Sequence, residues 1–190
     1  ECRGGPTGAN ASTEFFAHRL ALSTNTETLW RGCDSATRRA VRKAQQLGVR
    51  VEFGTTSGMM AEFYRLLCRT RRRHGLPPQP FRFFRAFHQH VLEPGHGTVA
   101  LARHAGRCVA GAVYVWAGER GIYKYGASDE REQHLRPNNL VMWEAICCLA
   151  QRGCRELHLG RTSLFHDGLR RFKIGWGARE ENLRYTRYDL

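Results

Sequence analysis

The sequence predicts an α/β domain built on a mixed, largely antiparallel sheet with helices flanking it, and three observations predict this. Hydrophobic spacing is mainly helical up to Pro94, changes to a period of two between Thr98 and Gly126, and alternates between helix and strand after Pro137. The middle stretch consists of three short alternating runs divided by His104-Ala105-Gly106-Arg107 and Ala117-Gly118-Glu119-Arg120, the pattern of a three-strand antiparallel meander. No G-x-x-x-x-G-K-[ST] loop is present, and the spaced pair Gly95-x-Gly97 precedes a strand instead of following one, which disfavours a doubly wound nucleotide fold.

Glu14 to Leu22 has strand composition, and Thr26 to Leu47 then carries Trp30, Cys33, Thr37, Val41, Ala44 and Leu47 at helical spacing, with Gly48 as its stop. Val49 to Phe53 reads as a short strand. Met59 to Arg73 reads as an amphipathic helix, with Met60, Phe63, Tyr64 and Leu67 inward and His74-Gly75-Leu76-Pro77-Pro78 as its breaker. A helix is predicted over Phe81 to Val91, then the meander Thr98 to Arg103, Cys108 to Trp116 and Gly121 to Gly126, then a polar loop from Ser128 to Arg136. Pro137 to Arg152 has Pro at its first turn and Gly153 just beyond its end, the expected asymmetry of a helix. Glu156 to Leu159 is predicted as a strand, Asp167 to Lys173 as a short helix and Arg179 to Tyr188 as the last strand.

The 190 residues are 42% hydrophobic and 25% charged, proportions of a single globular domain. No stretch approaches the roughly 18 uninterrupted apolar residues of a membrane helix; the most apolar one ends at Trp116. The opening, which starts at Glu1, has no apolar signal core and reads as the edge of something longer. Cys2, Cys33, Cys68, Cys108, Cys147, Cys148 and Cys154 lie mostly in apolar patterns with no C-x-x-C pair, so they read as reduced core residues in a cytoplasmic protein, and no metal site is predicted.

Thirty Lys plus Arg against 17 Asp plus Glu give +13, nearly all of it arginine, since lysine occurs only at Lys43, Lys124 and Lys173. The guanidinium fork grips phosphate or carboxylate in two places, so this balance suits an anionic partner, although a coding bias toward arginine produces the same count. Arg38, Arg39, Arg42 and Lys43 form two i,i+4 rows on one helix, and Arg69, Arg71, Arg72 and Arg73 crowd a helix C-terminus. Each cluster is either a phosphate-binding surface or a solvated face. Trp143 fits the core. Tyr125 and Phe172 are kept as aromatic candidates for a site.

Between Asn139 and Tyr188 stand Trp143-Glu144-Ala145, Arg152-Gly153-Cys154, Leu159-Gly160-Arg161-Thr162-Ser163, Phe172-Lys173-x-Gly175-Trp176-Gly177-Ala178 and Tyr185. In this order they resemble the C-terminal half of a FemAB-type domain, a branch of the GNAT acyltransferase superfamily that builds peptidoglycan interpeptide bridges. Upstream, Arg38-Arg39-x-x-Arg42-Lys43-Ala44 is similar to that group's basic entry helix, and Tyr125-Gly126-Ala127-Ser128 to the end of its central strand. The resemblance implies a GNAT-like catalytic domain over 13–190, the C-terminal half of a longer two-half protein, with 1–12 as a flexible edge or linker.

It further implies transfer of an aminoacyl or acyl group, from aminoacyl-tRNA or acyl-CoA and with no tightly bound cofactor, to an amine. The acceptor would be a peptidoglycan precursor, amino sugar or related envelope building block, met in the cytoplasm or at the inner membrane surface. Lys173 would stabilise the tetrahedral oxyanion and Phe172 orient the donor linkage, while Arg161, Ser163, Tyr125 and Ser128 would position substrate and Arg38 and Arg42 hold phosphate. Spacing alone also permits Lys173 to be a surface lysine. A general base is not identified; His158 is either that base or a residue of the strand face.

Relatives that use acyl-CoA carry glycines in the turn before the helix, whereas Arg131 to Asn139 has none. Close backbone approach to a pyrophosphate is harder without glycine, yet Arg136, Asn138, Asn139 and the helix N-terminus remain able to bind phosphate. Two other readings stay open: an acyl-CoA-dependent N-acetyltransferase acting on a saccharide or small amine, and a noncatalytic nucleic-acid-binding module, which has no recognisable motif here.

Overall fold

The computed structural model describes residues 11–186. In chain order the elements are β1 (Ala11–Ala21), α1 (Thr26–Gly32), α2 (Ser35–Gln46), β2 (Arg50–Gly54), α3 (Ser57–Arg73), α4 (Phe81–Phe87), β3 (Gly97–His104), β4 (Arg107–Ala117), β5 (Arg120–Ser128), α5 (Pro137–Gln151), β6 (Glu156–Ser163), α6 (Asp167–Ile174) and β7 (Arg179–Thr186). The sheet runs β2-β3-β4-β5-β6-β1-β7, and every neighbouring pair is antiparallel except β5–β6.

Strand alternation sorts the core into two layers. Val99, Leu101 and Val113 point to the face covered by Met60, Phe63, Leu66 and Leu67 of α3 and Phe84 of α4. Ala100, Ala102, Ala110 and Ala112 point to the other face, and these small side chains floor the contact with α5. That helix buries Leu140, Val141, Met142, Ala145, Ile146, Leu149 and Ala150, wrapping most of its circumference in protein. Helix α2 lies beside it through Val41 and Ala44.

The predicted helix over Thr26 to Leu47 is two helices. Asp34 accepts a hydrogen bond from Thr37 N at 2.6 Å as the N-cap of α2, and its own N–H donates to Gly175 O at 2.9 Å, so the chain turns at a position the apolar spacing runs straight through. The helix expected to reach Val91 leaves α-geometry at Phe87 and continues as a π-helical turn, His88–Leu92. The expected loop before α5 contains a 3-10 turn, Glu130–Leu135, and Ser128 ends β5. The strand expected after α5 extends four residues further, to Ser163. Strand β1 takes in Ala11 and Ser12 of the expected linker; the rest of that linker, Cys2 and the end of the chain fall outside the described residues. The described cysteines are free thiols, and no described helix is long and apolar enough to cross a membrane.

Candidate active site

Strands β5 and β6 pair over only Arg120↔Glu156, Gly121↔Leu157 and Ile122↔His158. Both strands then bend. Against β4, β5 inserts one extra residue, Lys124, because Val113 faces Tyr125 while Tyr114 faces Tyr123. Against β1, β6 gains a residue between His158 and Arg161, where Gly160 takes a left-handed φ of 77°. Bulges of this kind bend a strand and increase its twist, and two of them immediately past the last parallel pair part the strands. Among the described residues, the backbone of β5 beyond Ile122 has no strand partner on that side.

Helix α5 starts at the mouth of this opening. Its N-cap, Arg136, is left-handed at φ 57°, and no side chain caps the helix. Arg136 thus takes the conformation that a glycine turn would supply, at a cost of about 1–2 kcal/mol, and adds a guanidinium beside a positive helix end. A cleft of about 520 Å³ lies there, lined by Tyr123, Gly126 and Ser128 of β5, by Arg136, Pro137, Asn138 and Asn139 at the start of α5, by Thr70, Arg73 and His74 at the end of α3, and by His166, Gly168, Leu169 and Phe172. Arg136, Asn139, Gly168 and Phe172 also line a second lobe of about 680 Å³, whose other walls include Asp34, Arg39, Lys43 and Arg171. Among the described residues Arg39, Lys43, Arg136 and Arg171 form no ion pair. Elsewhere arginines are matched, as in Arg103 with Glu52 and Glu62, Arg107 with Glu132 and Arg170 with Glu180.

Lys173 stands behind the β6 wall, 3% exposed. Its ammonium donates to Gly160 O at 3.0 Å, Arg161 O at 3.0 Å and Thr162 Oγ1 at 2.8 Å, which commits all three N–H groups. Burial lowers its pKa to about 8. His158 serves the same turn, its Nδ1 accepting from Gly160 N at 3.0 Å.

Of the residues singled out in the sequence, Ser128, Arg136, Asn138, Asn139 and Phe172 line the cleft. Others lie outside it, each for a local reason. Arg38 donates through Nη1 to the carbonyls of Arg31 and Cys33, fastening the end of α1. Arg42 stacks over Trp30 at 5.3 Å, which in turn meets Trp143 at 4.8 Å. Arg161 lies over the rings of Phe15 and Tyr185 at 4.9 and 5.2 Å, and Ser163 Oγ accepts from Phe165 N in the turn after β6. Tyr125 packs edge-on against Phe84 and Phe87 on the α3–α4 face. The other i,i+4 row of α2, Arg39 and Lys43, is the one that faces the groove, because Thr37, Val41 and Ala44 fix which way the helix is turned. Tyr123 was not singled out; the extra residue in β5, invisible in a single sequence, turns Tyr123 instead of Tyr125 toward Gly126 and the cleft.

A sheet that opens at its one parallel pair against the N-terminus of a helix is the architecture of a GNAT-type acyltransferase. The profile of the acetyltransferase (GNAT) domain family matches residues 33–181, and the chain belongs to that family. Its fold is similar to the crystal structure of FemX, with a TM-score of 0.79 at 17% identity over 90% of this chain and 61% of that one. It is similar also to the C-terminal domain of a putative lysylphosphatidylglycerol synthetase from Agrobacterium fabrum, with a TM-score of 0.64 at 13% identity over 93% and 59%. An aminoglycoside acetyltransferase from an uncultured soil metagenomic sample, in complex with sisomicin, gives a TM-score of 0.62 at 12% identity over 77% and 98%. The chain thus spans about three fifths of the FemX and synthetase chains. No curated protein matches the sequence.

Proposed function

We propose that this domain transfers an aminoacyl or acyl group to the amine of a peptidoglycan precursor, amino sugar or related envelope building block. The observation that carries the reading is the parted β5–β6 pair opening onto the uncapped start of α5, with Arg39, Lys43, Arg136 and Arg171 along one groove and in no ion pair among the described residues. Fixed amide dipoles and free guanidinium groups at one helix end favour a phosphate-bearing donor. The donor's phosphates lie against Arg136, Asn138 and Asn139, its acyl end reaches between the strands, and Phe172 flanks the linkage from α6. The reaction needs a neutral amine and donors or positive charge where the oxyanion forms. Lys173 acts as a positioning residue: with its three N–H groups held by β6, it fixes the wall at Gly160 and sets its charge behind the reacting carbonyl. The envelope acceptor rests on the FemAB resemblance.

The cationic lining of the second lobe favours aminoacyl-tRNA over acyl-CoA as donor, because Arg39, Lys43 and Arg171 offer sites for more phosphates than a helix terminus alone. Calorimetric titration of acetyl-CoA into the wild type and Arg136→Ala, at low and moderate salt, tests the site. Saturable binding at moderate salt, weakened roughly 10- to 100-fold by Arg136→Ala, assigns the cleft to acyl-CoA, since a lost charge-assisted hydrogen bond is worth about 1.5–3 kcal/mol. No binding of acetyl-CoA, together with binding of aminoacyl-tRNA that Arg136→Ala weakens, assigns it to the RNA donor. Binding of neither removes the reading.

A further inference from the structure

The turn between β6 and α6 carries an aromatic side chain that the fold leaves in solvent. Phe165 is 94% exposed, more than any other large apolar residue among the described ones, and Leu164 beside it is 36% exposed. A phenylalanine left in water forgoes the stabilisation that burial would bring. Hydrogen bonds hold it there. His166 N donates to Ser163 O at 3.0 Å and Phe165 N to Ser163 Oγ at 3.4 Å, which closes the turn, and Ser163 is itself paired with Phe15 of β1. On the other side His166 caps α6, its Nδ1 accepting from Leu169 N at 3.2 Å. With both ends fixed, the tip Leu164-Phe165 is held out from the domain.

This tip stands on the rim of the cleft, since the next residue, His166, lines the cleft wall with Gly168, Leu169 and Phe172. From the His166 cap to Phe172 is roughly 9 Å along α6, a distance that about three stacked nucleotides cover at about 3.4 Å each. The charges around the tip select what it meets. Arg170 is held at two points by Glu180, Arg161 lies over the rings of Phe15 and Tyr185, and Asp167 puts a carboxylate in the first turn of α6. The tip therefore offers a flat apolar face with no cation for a phosphate, whereas Arg39, Lys43, Arg136 and Arg171 line the adjoining lobes. An exposed ring beside a basic groove is the pairing that holds single-stranded nucleic acid, because bases stack on the ring while phosphates follow the charge. A membrane anchor would instead carry its cations next to the apolar tip.

We propose that Phe165 is the stacking platform for a nucleobase of the donor, at the unpaired 3′ end of an aminoacyl-RNA or in the adenosine of an acyl-CoA. This rests on the acyl-transfer reading above, and it places the base at the rim while the phosphates follow the groove. Stacking tolerates any base, since each has a π-face, and it involves no charge. Phe165 thus adds affinity without adding salt dependence, which separates it from the groove cations.

The probes are a short RNA hairpin with an unpaired 3′ tail, the same hairpin with abasic tail positions, acetyl-CoA, and acetyl-phosphopantetheine, which lacks the adenosine. Each is titrated into wild type, Phe165→Ala, Phe165→Leu and Phe165→Trp, with thermal unfolding as the check that a change at this exposed position leaves the fold intact. Phe165→Ala and Phe165→Leu are expected to bind the tailed hairpin or acetyl-CoA roughly 5- to 150-fold more weakly, the worth of one stacked base, with an unchanged slope of log affinity against log salt. Phe165→Trp should stay within about threefold of wild type. The loss should vanish on the abasic hairpin or on acetyl-phosphopantetheine, and the donor that shows it names the source of the base. A loss under about fivefold in Phe165→Ala or Phe165→Leu, or an equal loss on the probe without the base, overturns stacking; the donor site stands without it where Arg136→Ala still weakens the same probe. Wild type that binds neither the hairpin nor acetyl-CoA overturns the donor reading and this proposal together. Phosphatidylglycerol vesicles that lose their hold on Phe165→Ala, with hairpin and acetyl-CoA affinity kept, overturn it in favour of a membrane anchor.

Discussion

Lys173 unites a desolvated charge with three acceptors on β6. Replacing it with methionine removes the charge but takes from Gly160 O, Arg161 O and Thr162 Oγ1 the donor they share behind β6. The unpaired acceptors dominate, and Lys173→Met is expected to lower stability by about 1–3 kcal/mol. Burial holds the folded-state pKa at about 8, below the ordinary lysine value of 10.5. Between these values the unfolded chain binds more protons than the folded one, so this group's contribution to stability rises with pH across that window and is flat below it. Urea unfolding of wild type and Lys173→Met on either side of pH 8 reads both effects: the stability difference widens with rising pH. A difference that shrank would show that the hydrogen bonds, and not desolvation, set the titration. At this scale the sequence reveals Lys173 as one of three lysines but not the carbonyls it serves, which come from a strand bulge set by pairing with β1.

At the scale of elements, the corner between α6 and β7 explains why glycines punctuate the Lys173-to-Ala178 motif. Gly177 has φ 81°, and a Cβ there would lie 2.7 Å from the backbone oxygen of Gly32 at the end of α1. Both the backbone conformation and the close approach demand glycine, and the neighbouring Gly175 O accepts from Asp34 N to tie the same corner to α2. Gly177→Ala is expected to cost about 1–2 kcal/mol through left-handed strain alone, with the clash adding to it; thermal or urea unfolding measures it. A loss under about 0.5 kcal/mol would mean that the corner relaxes freely. Elements with local punctuation were legible: the meander by its glycine turns, α5 by Pro137 and Gly153, α6 by Asp167 in its first turn. The α1–α2 break was not, because Trp30, Cys33, Thr37, Val41 and Ala44 keep one helical period across it while Asp34 recaps the chain. The rows on α2 were visible in the sequence, but the rotation that selects Arg39 and Lys43 comes from packing against α5.

Across the whole molecule, the +13 charge is unevenly used. Exposed pairs such as Arg31–Glu27 and Arg155–Glu119 neutralise arginines that do not line the groove and contribute little to stability. Asp34 lines the groove while capping α2, and among the described residues Arg39, Lys43, Arg136 and Arg171 form no ion pair with it or with another carboxylate. Four like charges along one channel repel each other unless an anion is present, and each phosphate that neutralises one releases a counterion. For a short RNA hairpin as probe, removing two of these contacts should flatten the plot of log affinity against log salt by about 1.4 to 1.8, from about 0.7 to 0.9 per phosphate. Arg39→Ala/Lys43→Ala should show that change, while Arg31→Ala/Arg155→Ala, which removes the same formal charge elsewhere, should leave the slope within error. Equal flattening by both pairs would make the charge a diffuse attractor with no built phosphate track, and the second lobe would lose its claim as the donor's path. Flattening confined to Arg39 and Lys43 would tie the basic helix to the opening between β5 and β6, since Arg136 and Asn139 line both lobes and phosphates on one extend the other.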